Sequence, residues 1–489
     1  MGRSFSLLFL FAALLQLFLT IPLWAQKNTE PSVAVDAFLK QEMKDLRIPG
    51  LQVAVVQKGK IVFLKSYGYG NLQDSTAVSN RSVFSINSCT KAFTGVAIMQ
   101  LVEEGKVDLS APLSHYLDDL PAAWQPVTIR QLLTHISGIP DILRIVGQGS
   151  GSFVSMTTEA AAMEKVKAAP MEFKTGTQFS YNQTNYLLLG KIIDKLRAKP
   201  FADVFRERQF NIAGMPHTGF GDSRDVIPHK AQSYRYVSRL DGIKLPKDTL
   251  TNVYEEFPAA LRTGASINST AEDLAKWIIA LQTGKILHGK STLKTLWSPG
   301  AFNNGSPTQW TMGWVSKIRP KHQAIISTGG GRSAFFVYPE DDLAIVLLTN
   351  LSGSYPEDLI DELAGYFNPE IPLYDPISAL NIQFRKQGFE KASEIFREQQ
   401  KNNPNFHPSE TDLNDWAYRL MSRQQNKLAQ AVFKMIVDAY PGSWNAYDSY
   451  GEILLKNGQK EEAIKAYKKS VEINPENKNG LQILQRLAN

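Results

Sequence analysis

Residues 84–95 read Phe84-Ser85-Ile86-Asn87-Ser88-Cys89-Thr90-Lys91-Ala92-Phe93-Thr94-Gly95. From Lys91 onward the spacing predicts an amphipathic helix over 91–104. Phe93, Val96, Ala97 and Leu101 share one face, and Gly105 stops it. Ser88 and Lys91 therefore stand one turn apart at a helix N-terminus, on the same face. The helix end favours negative charge near the serine. An amine whose pKa is lowered by burial and neighbouring cations is neutral and can accept the serine proton. The S-x-x-K spacing by itself is not distinctive, since Ser291-Thr292-Leu293-Lys294 satisfies it too. Context separates the two, because only Ser88 opens a long helix and is followed in order by two further chemical elements.

The second element is Phe179-Ser180-Tyr181-Asn182-Gln183-Thr184-Asn185-Tyr186, in front of an apolar run. A tyrosine there can relay a proton between a serine and a leaving group. The third is Ser327-Thr328-Gly329-Gly330-Gly331. Glycines in an edge strand let a substrate backbone come close and leave amides free for an oxyanion. Around these elements, residues 51–67 alternate as two strands about Lys58-Gly59-Lys60. A second hairpin is predicted over 333–348, turning at Pro339-Glu340-Asp341-Asp342. Ser269-Thr270-Ala271-Glu272 reads as a capping box opening a helix to about Leu281. Strands at both ends with helices between predict an α+β domain, an antiparallel sheet beside a helical lobe, with a site in the cleft.

Five stretches in this order resemble the serine β-lactamase and penicillin-binding-protein superfamily, in its class C-like branch of esterases, D-stereospecific aminopeptidases and carboxypeptidases. They are FSINSCTKAFTG, VTIRQLLTHISGIPD, FSYNQTNYLLLG, GASINSTAEDLAKW and STGGGRSAFFVYPEDDLAIVLLTN, within about 30–365. The resemblance implies Ser88 as the acylated nucleophile, Lys91 as its base and Tyr181 as the tyrosine of the Y-x-N element. It also implies an oxyanion hole from the amides of Ser88 and Gly330, and a substrate strand at Ser327-Thr328-Gly329. Two positions depart from that pattern. Gln183 stands where the family usually has Asn, one methylene longer. Ser327 replaces the Lys or His of K-T-G or H-x-G, which removes a cation that would hold a substrate carboxylate. Arg332 is the candidate to restore that charge by contacting substrate. The reading is an acyl-enzyme hydrolase of esters, amides or lactams, weighted toward esterase or peptidase. A penicillin-binding D-Ala carboxypeptidase or β-lactamase is the alternative. No metal or organic cofactor is implied.

Other patterns carry less. Gly284-Lys285-Ile286-Leu287-His288-Gly289-Lys290-Ser291 fits the P-loop spelling but follows a helix, not a strand. Tyr366-Phe367-Asn368 fits Y-x-N out of order. Gly331-Arg332-Ser333-Ala334 lacks the last glycine of a nucleophile elbow. Seven scattered histidines include no H-E-x-x-H. His135 reads as a core position, and Cys89 as a small wall residue beside Ser88.

Past residue 368 the chain changes character. Pro369, Pro372 and Pro376 punctuate a linker over 369–376, and 377–489 reads as an all-α repeat region. Ala392, Ala429 and Ala463 recur in step with Phe396, Phe433 and Tyr467 and with Pro404, Pro441 and Pro475. This resembles the tetratricopeptide repeat, with units over 373–406, 410–443 and 444–477 and a capping helix after Lys478. The resemblance implies a protein or peptide partner on the concave face. A reading of another class follows from it: a catalytically weak scaffold acting through its repeats.

At the other end, residues 1–25 read as an export leader. Arg3 is the positive flank, residues 7–19 are apolar save Gln16, Pro22 breaks the run, and Ala25 precedes a cut before Gln26. This predicts a periplasmic or secreted hydrolase domain over 26–368, tethered to the membrane only if the leader is retained as an anchor. The composition agrees with a folded chain of about three units: 489 residues, 43% apolar and 20% charged. The charge of +6 is spread with no Lys/Arg block, so nucleic acid is not an indicated partner. One cysteine excludes an internal disulfide framework.

Overall fold

A computed structural model of the protein describes residues 31–146, 158–240 and 242–488. The leader read over 1–25 lies outside the described residues.

Helix α1 (Pro31–Asp45) leads into strands β1 (Gly50–Gln57) and β2 (Lys60–Asn71). Lys58 and Gly59 join the strands, both at positive φ (50° and 70°), the hand that matches strand twist in a two-residue hairpin. β3 (Thr76–Ala77) borders β2. The central helix α2 (Thr90–Glu103), α3 (Gln183–Arg197) and α4 (Ala271–Gln282) follow before the chain returns to the sheet as β4 (Val315–Lys317), β5 (Ala324–Gly329), β6 (Ser333–Tyr338) and β7 (Leu343–Thr349). The seven strands run β3-β2-β1-β7-β6-β5-β4, each pair antiparallel. The first and last strands of the domain thus pair at the centre of the sheet, β1 with β7.

Strand periodicity decides which core each side chain feeds. Ala54, Val56, Ala344, Val346 and Leu348 face the helical lobe. Leu51, Val53, Val55, Leu343, Ile345 and Leu347 face α1 and α5 (Glu357–Ala364) on the other side. Both faces are covered, so β1 and β7 are buried almost end to end. Each fully buried aliphatic side chain contributes about 1.5–3 kcal/mol.

Three details differ from the sequence expectations. Helix α2 is not amphipathic: every residue from Thr90 to Leu101 is buried. Its polar members donate to buried carbonyls, Thr94 to Thr263 and the Gln100 amide nitrogen to Arg208 and Ile286. The cap of α4 is Thr270, whose hydroxyl accepts from the Asp273 amide at 3.1 Å, because Ser269 is taken into a short strand. A hairpin over Tyr234–Leu240 and Ile243–Asn252 was not foreseen. Its second strand carries Pro246 and charged, largely exposed residues, which mask a strand pattern.

The C-terminal region forms helix pairs α6 (Pro376–Gln387) and α7 (Ala392–Asn402), α8 (Glu410–Ser422) and α9 (Asn426–Ala439), α10 (Trp444–Lys456) and α11 (Lys460–Ile473), closed by α12 (Lys478–Ala488). Ala392, Ala429, Ala463, Phe396, Phe433 and Tyr467 are all at most 2% exposed, which explains why they keep step. The stretch read as a linker is packed against both parts. Ile371–Tyr374 makes a 3₁₀ turn with Ile371 in the core under α5. Asp375 caps α6 and pairs with Lys317 of β4 at 2.5 Å. Two further ion clusters join the parts, Arg385 with Glu42 and Glu362, and Arg419 and Arg423 with Asp358.

Candidate active site

Ser88 sits in a 3₁₀ turn (Asn87–Cys89) that runs directly into α2, and it is half-buried. The preceding Asn87 has φ 46°, a left-handed conformation that asparagine tolerates better than most side chains. Its amide is clamped. Oδ1 accepts from Arg332 Nε at 3.1 Å and Nη2 at 2.7 Å, and Nδ2 donates to Glu255 Oε1 at 2.9 Å. Arg332 Nη2 also pairs with the other Glu255 oxygen, and Nη1 donates to Ser352 Oγ at 3.1 Å. This corrects the expectation for Arg332. It is 1% exposed and spent on holding the Ser88 turn, so it is not a substrate contact.

Lys91 is fully buried. Its amine donates to Gln183 Oε1 at 3.0 Å and to the Gly264 carbonyl at 2.7 Å. It lies 4.5 Å from the centroid of the Tyr181 ring and 5.2 Å from that of Tyr186. The extra methylene of Gln183 therefore still delivers its carbonyl to the lysine. A Cβ on Gly264 would meet Gln183 Oε1 at 2.6 Å, so only glycine leaves this arrangement undisturbed. By contrast Ser291 and Lys294, the other S-x-x-K pair, are both exposed on a short helix.

Tyr181 and Gln183 flank Asn182, the N-cap of α3, whose side chain accepts from the Asn185 amide at 3.1 Å. The stretch around His135 forms the platform beneath them. His135 Nδ1 accepts from the Asn182 amide at 3.2 Å, Asp141 Oδ1 from the Gln183 amide at 3.1 Å, and Thr184 Oγ1 donates to the Pro140 carbonyl at 2.8 Å. Burial holds the His135 pKa well below its usual value, so the ring stays neutral and keeps an acceptor. Tyr181 packs on His135 (4.7 Å between centroids) and Trp310 (5.4 Å), and its buried hydroxyl has no partner among the described residues. Trp310 stacks on the exposed Phe179, extending the wall outward.

The opposite wall is β5. β4 pairs only with Ala324, Ile325 and Ile326, so Ser327-Thr328-Gly329 presents an open strand edge. Gly329 lies against the Ser88 turn: a Cβ there would sit 2.0 Å from the Ile86 carbonyl and 3.0 Å from the Ser88 amide. Gly330, at φ 59°, bends the chain away. Among the described residues the amides of Ser88 and Gly330 donate to no protein acceptor. Ser327 is 4% exposed, while Thr328 on the other face is half-buried. Burial raises the Cys89 thiol, an inert wall group whose Sγ lies 3.7 Å from the Ser333 carbonyl.

Sequence reasoning named Ser88, Lys91, Tyr181, Gln183 and the glycine strand, which the fold brings together. It missed Asn87, Glu255, Gly264 and Trp310. Glu255 reaches Asn87 across 168 positions, with no motif to mark it. The P-loop spelling is settled as structure: the His288 and Gly289 amides donate to the Glu103 carboxylate at 3.1 and 2.7 Å, so no phosphate is accommodated.

This fold and arrangement define a class C-like domain of the β-lactamase and penicillin-binding-protein superfamily. Residues 35–365 match the Beta-lactamase family, and the chain belongs to it. Residues 444–477 match the tetratricopeptide repeat. Penicillin-binding protein 4* of Bacillus subtilis (strain 168) is 27% identical over 283 residues, 57% of this chain and 62% of that protein, so the match spans less than two thirds of the relative. In fold, the D-amino acid amidase of Ochrobactrum anthropi SV3, solved with L-phenylalanine amide, aligns with a TM-score of 0.60 at 23% identity, over 70% of this chain and 99% of that one. EstCE1, a hydrolase with promiscuous acyltransferase activity, aligns with a TM-score of 0.55 at 20% identity, over 66% and 94%.

Proposed function

We propose that this chain hydrolyses uncharged esters or amides through an acyl-enzyme on Ser88. The observation that carries the reading is the buried Lys91 amine, one turn from Ser88, with Gln183 and Gly264 taking two of its hydrogens. To act as the base, Lys91 must enter the reaction as the free amine, which has two N–H groups and one lone pair. With both hydrogens engaged, the lone pair is left to take the Ser88 proton as Oγ attacks the carbonyl. The Ser88 and Gly330 amides then hold the oxyanion. Tyr181, with its hydroxyl uncommitted, passes the proton to the leaving group, and water releases the acyl group in the reverse sense.

The surroundings favour uncharged substrates. Ser327 supplies no cation, and Arg332 is neutralised by Glu255. The Tyr181–Trp310–Phe179 wall suits an apolar group, and the open edge of β5 suits an extended backbone laid beside it. The proteins it resembles include a penicillin-binding protein, an amidase and a hydrolase with promiscuous acyltransferase activity, which supports acyl chemistry of this kind without choosing the substrate. The test is turnover of a short-chain chromogenic ester by wild type and Ser88→Ala. The reading requires activity that the substitution abolishes.

Two further proposals accompany it. The leader over 1–25 supports export to the periplasm or medium, checked by fractionation and by a mature N-terminus at Gln26. The repeats support recruitment of a protein or peptide partner.

A further inference from the structure

The oxyanion loop is held from behind by a segment that itself leans on the repeat region. The Gly331 carbonyl, one residue past Gly330, accepts from the amides of Gly353 at 3.1 Å and Tyr355 at 2.9 Å and from Ser354 Oγ at 3.2 Å. The Tyr355 ring packs on the same glycine: a Cβ on Gly331 would lie 3.2 Å from Cε1. Tyr355 has φ 47°, a left-handed conformation unfavourable for a large aromatic residue, so it persists only where its surroundings impose it. What faces Tyr355 from outside is Arg423, directly after α8. Its Nη2 donates to the Tyr355 carbonyl at 3.1 Å and to Asp358 Oδ2 at 2.6 Å, and its guanidinium lies 5.1 Å from the Tyr355 ring centroid. Among the described residues, neighbouring Arg419 pairs with Asp358 alone, at 3.0 and 3.1 Å through Nε.

We infer that Arg423 is a positioning residue for hydrolysis: by holding Tyr355 in its strained conformation, the repeat region fixes the Gly330–Gly331 loop and with it the oxyanion-binding amide. The two parts of the chain are therefore one catalytic unit. This rests on the acyl-enzyme reading above. A donor displaced from the oxyanion loses part of the about 10²–10³ in kcat that one such donor is worth.

The pair Arg423 and Arg419 supplies its own control. Either substitution removes an ion pair to Asp358 across the same interface, but only Arg423 touches Tyr355. Full-length wild type, Arg423→Ala, Arg423→Lys, Arg419→Ala and Ser88→Ala are compared for kcat and KM on a chromogenic ester, with thermal unfolding in parallel. The inference expects Arg423→Ala to lose about tenfold in kcat with KM within twofold. Arg419→Ala, with a comparable Tm loss, keeps kcat within about twofold, and Arg423→Lys recovers part of the loss. Equal kcat in the two alanine variants, or a loss of Arg423→Ala activity that appears only in KM, overturns the inference while leaving the hydrolase intact. Wild-type turnover indifferent to Ser88→Ala overturns the acyl-enzyme reading itself.

Discussion

Gly264→Ala separates site geometry from stability. The new Cβ falls 2.6 Å from Gln183 Oε1, where ordinary contact begins at 3.4 Å, so the carbonyl must move by about 0.8 Å. Gly264 is not at positive φ among the described residues, and the next neighbours, Lys91 Nζ and the Leu261 carbonyl, stand at 3.4 and 3.5 Å. The backbone thus accepts alanine, and the strain is discharged on the end of a flexible, half-buried side chain at a stability loss of about 1 kcal/mol. The same displacement, directed away from the new Cβ, stretches the 3.0 Å bond from Lys91 to Gln183 to about 3.3 Å, at the weak end of the range. A hydrogen bond to the developing ammonium is worth about 1.5–3 kcal/mol, so weakening it lowers kcat/KM by several-fold, with complete loss setting the ceiling at about 10- to 150-fold. Ester hydrolysis and thermal unfolding measured on the same preparation check both halves. Full activity in Gly264→Ala refutes the claim that Gln183 orients Lys91. A collapse in Tm refutes the claim that only a side-chain tip yields.

Other expectations follow from the same contacts. Arg332→Ala leaves Glu255 and Asn87 without their partner and is expected to cost about 3 kcal/mol in denaturant unfolding. A rise in KM alone, at unchanged stability, would return Arg332 to substrate binding. Burial raises Glu42 from 4.5 to about 7 beside Arg385. The folded state then holds a proton that the unfolded state releases, so stability is full below about pH 4.5 and declines as pH rises through 7, by at most about 3 kcal/mol from this group. Glu42→Gln should flatten that slope in unfolding curves taken from pH 5 to 8. Gly451→Ala drives a Cβ to 2.8 Å from the buried Tyr467 ring and is expected to destabilise the last repeat by about 1–3 kcal/mol, read as loss of helical protection in hydrogen exchange. Cys89 should resist a thiol reagent at pH 8 until the protein unfolds, because burial raises its pKa. Prompt labelling of the native protein contradicts its placement beneath Ser88.

The parts legible in the sequence were those set by local periodicity and short spacing. The hairpin about Lys58-Gly59-Lys60 was legible because a glycine separates two alternating runs; that the turn holds only two residues, with Lys58 at φ 50°, was not. The S-x-x-K spacing placed Lys91 on the nucleophile's face because one helical turn does so in any context. What escaped was long-range. Helix α2 looked amphipathic because Thr94 and Gln100 are polar, yet their partners, Thr263, Arg208 and Ile286, lie far along the chain and let them be buried. Arg332 looked free for substrate because nothing nearby in sequence neutralises it; Glu255 does so from 77 positions away. Gln183 looked misplaced because the length of a side chain does not reveal where α3 begins relative to Lys91.

The central claim is a covalent acyl group on Ser88. The direct measurement is acid quenching of the full-length protein during turnover of an activated ester, followed by proteolysis and mass spectrometry of the peptide bearing Ser88. The account expects the acyl mass on that peptide in wild type and none in Ser88→Ala, with steady-state hydrolysis lost in the same variant. An acyl group on another residue, or undiminished hydrolysis by Ser88→Ala, contradicts it.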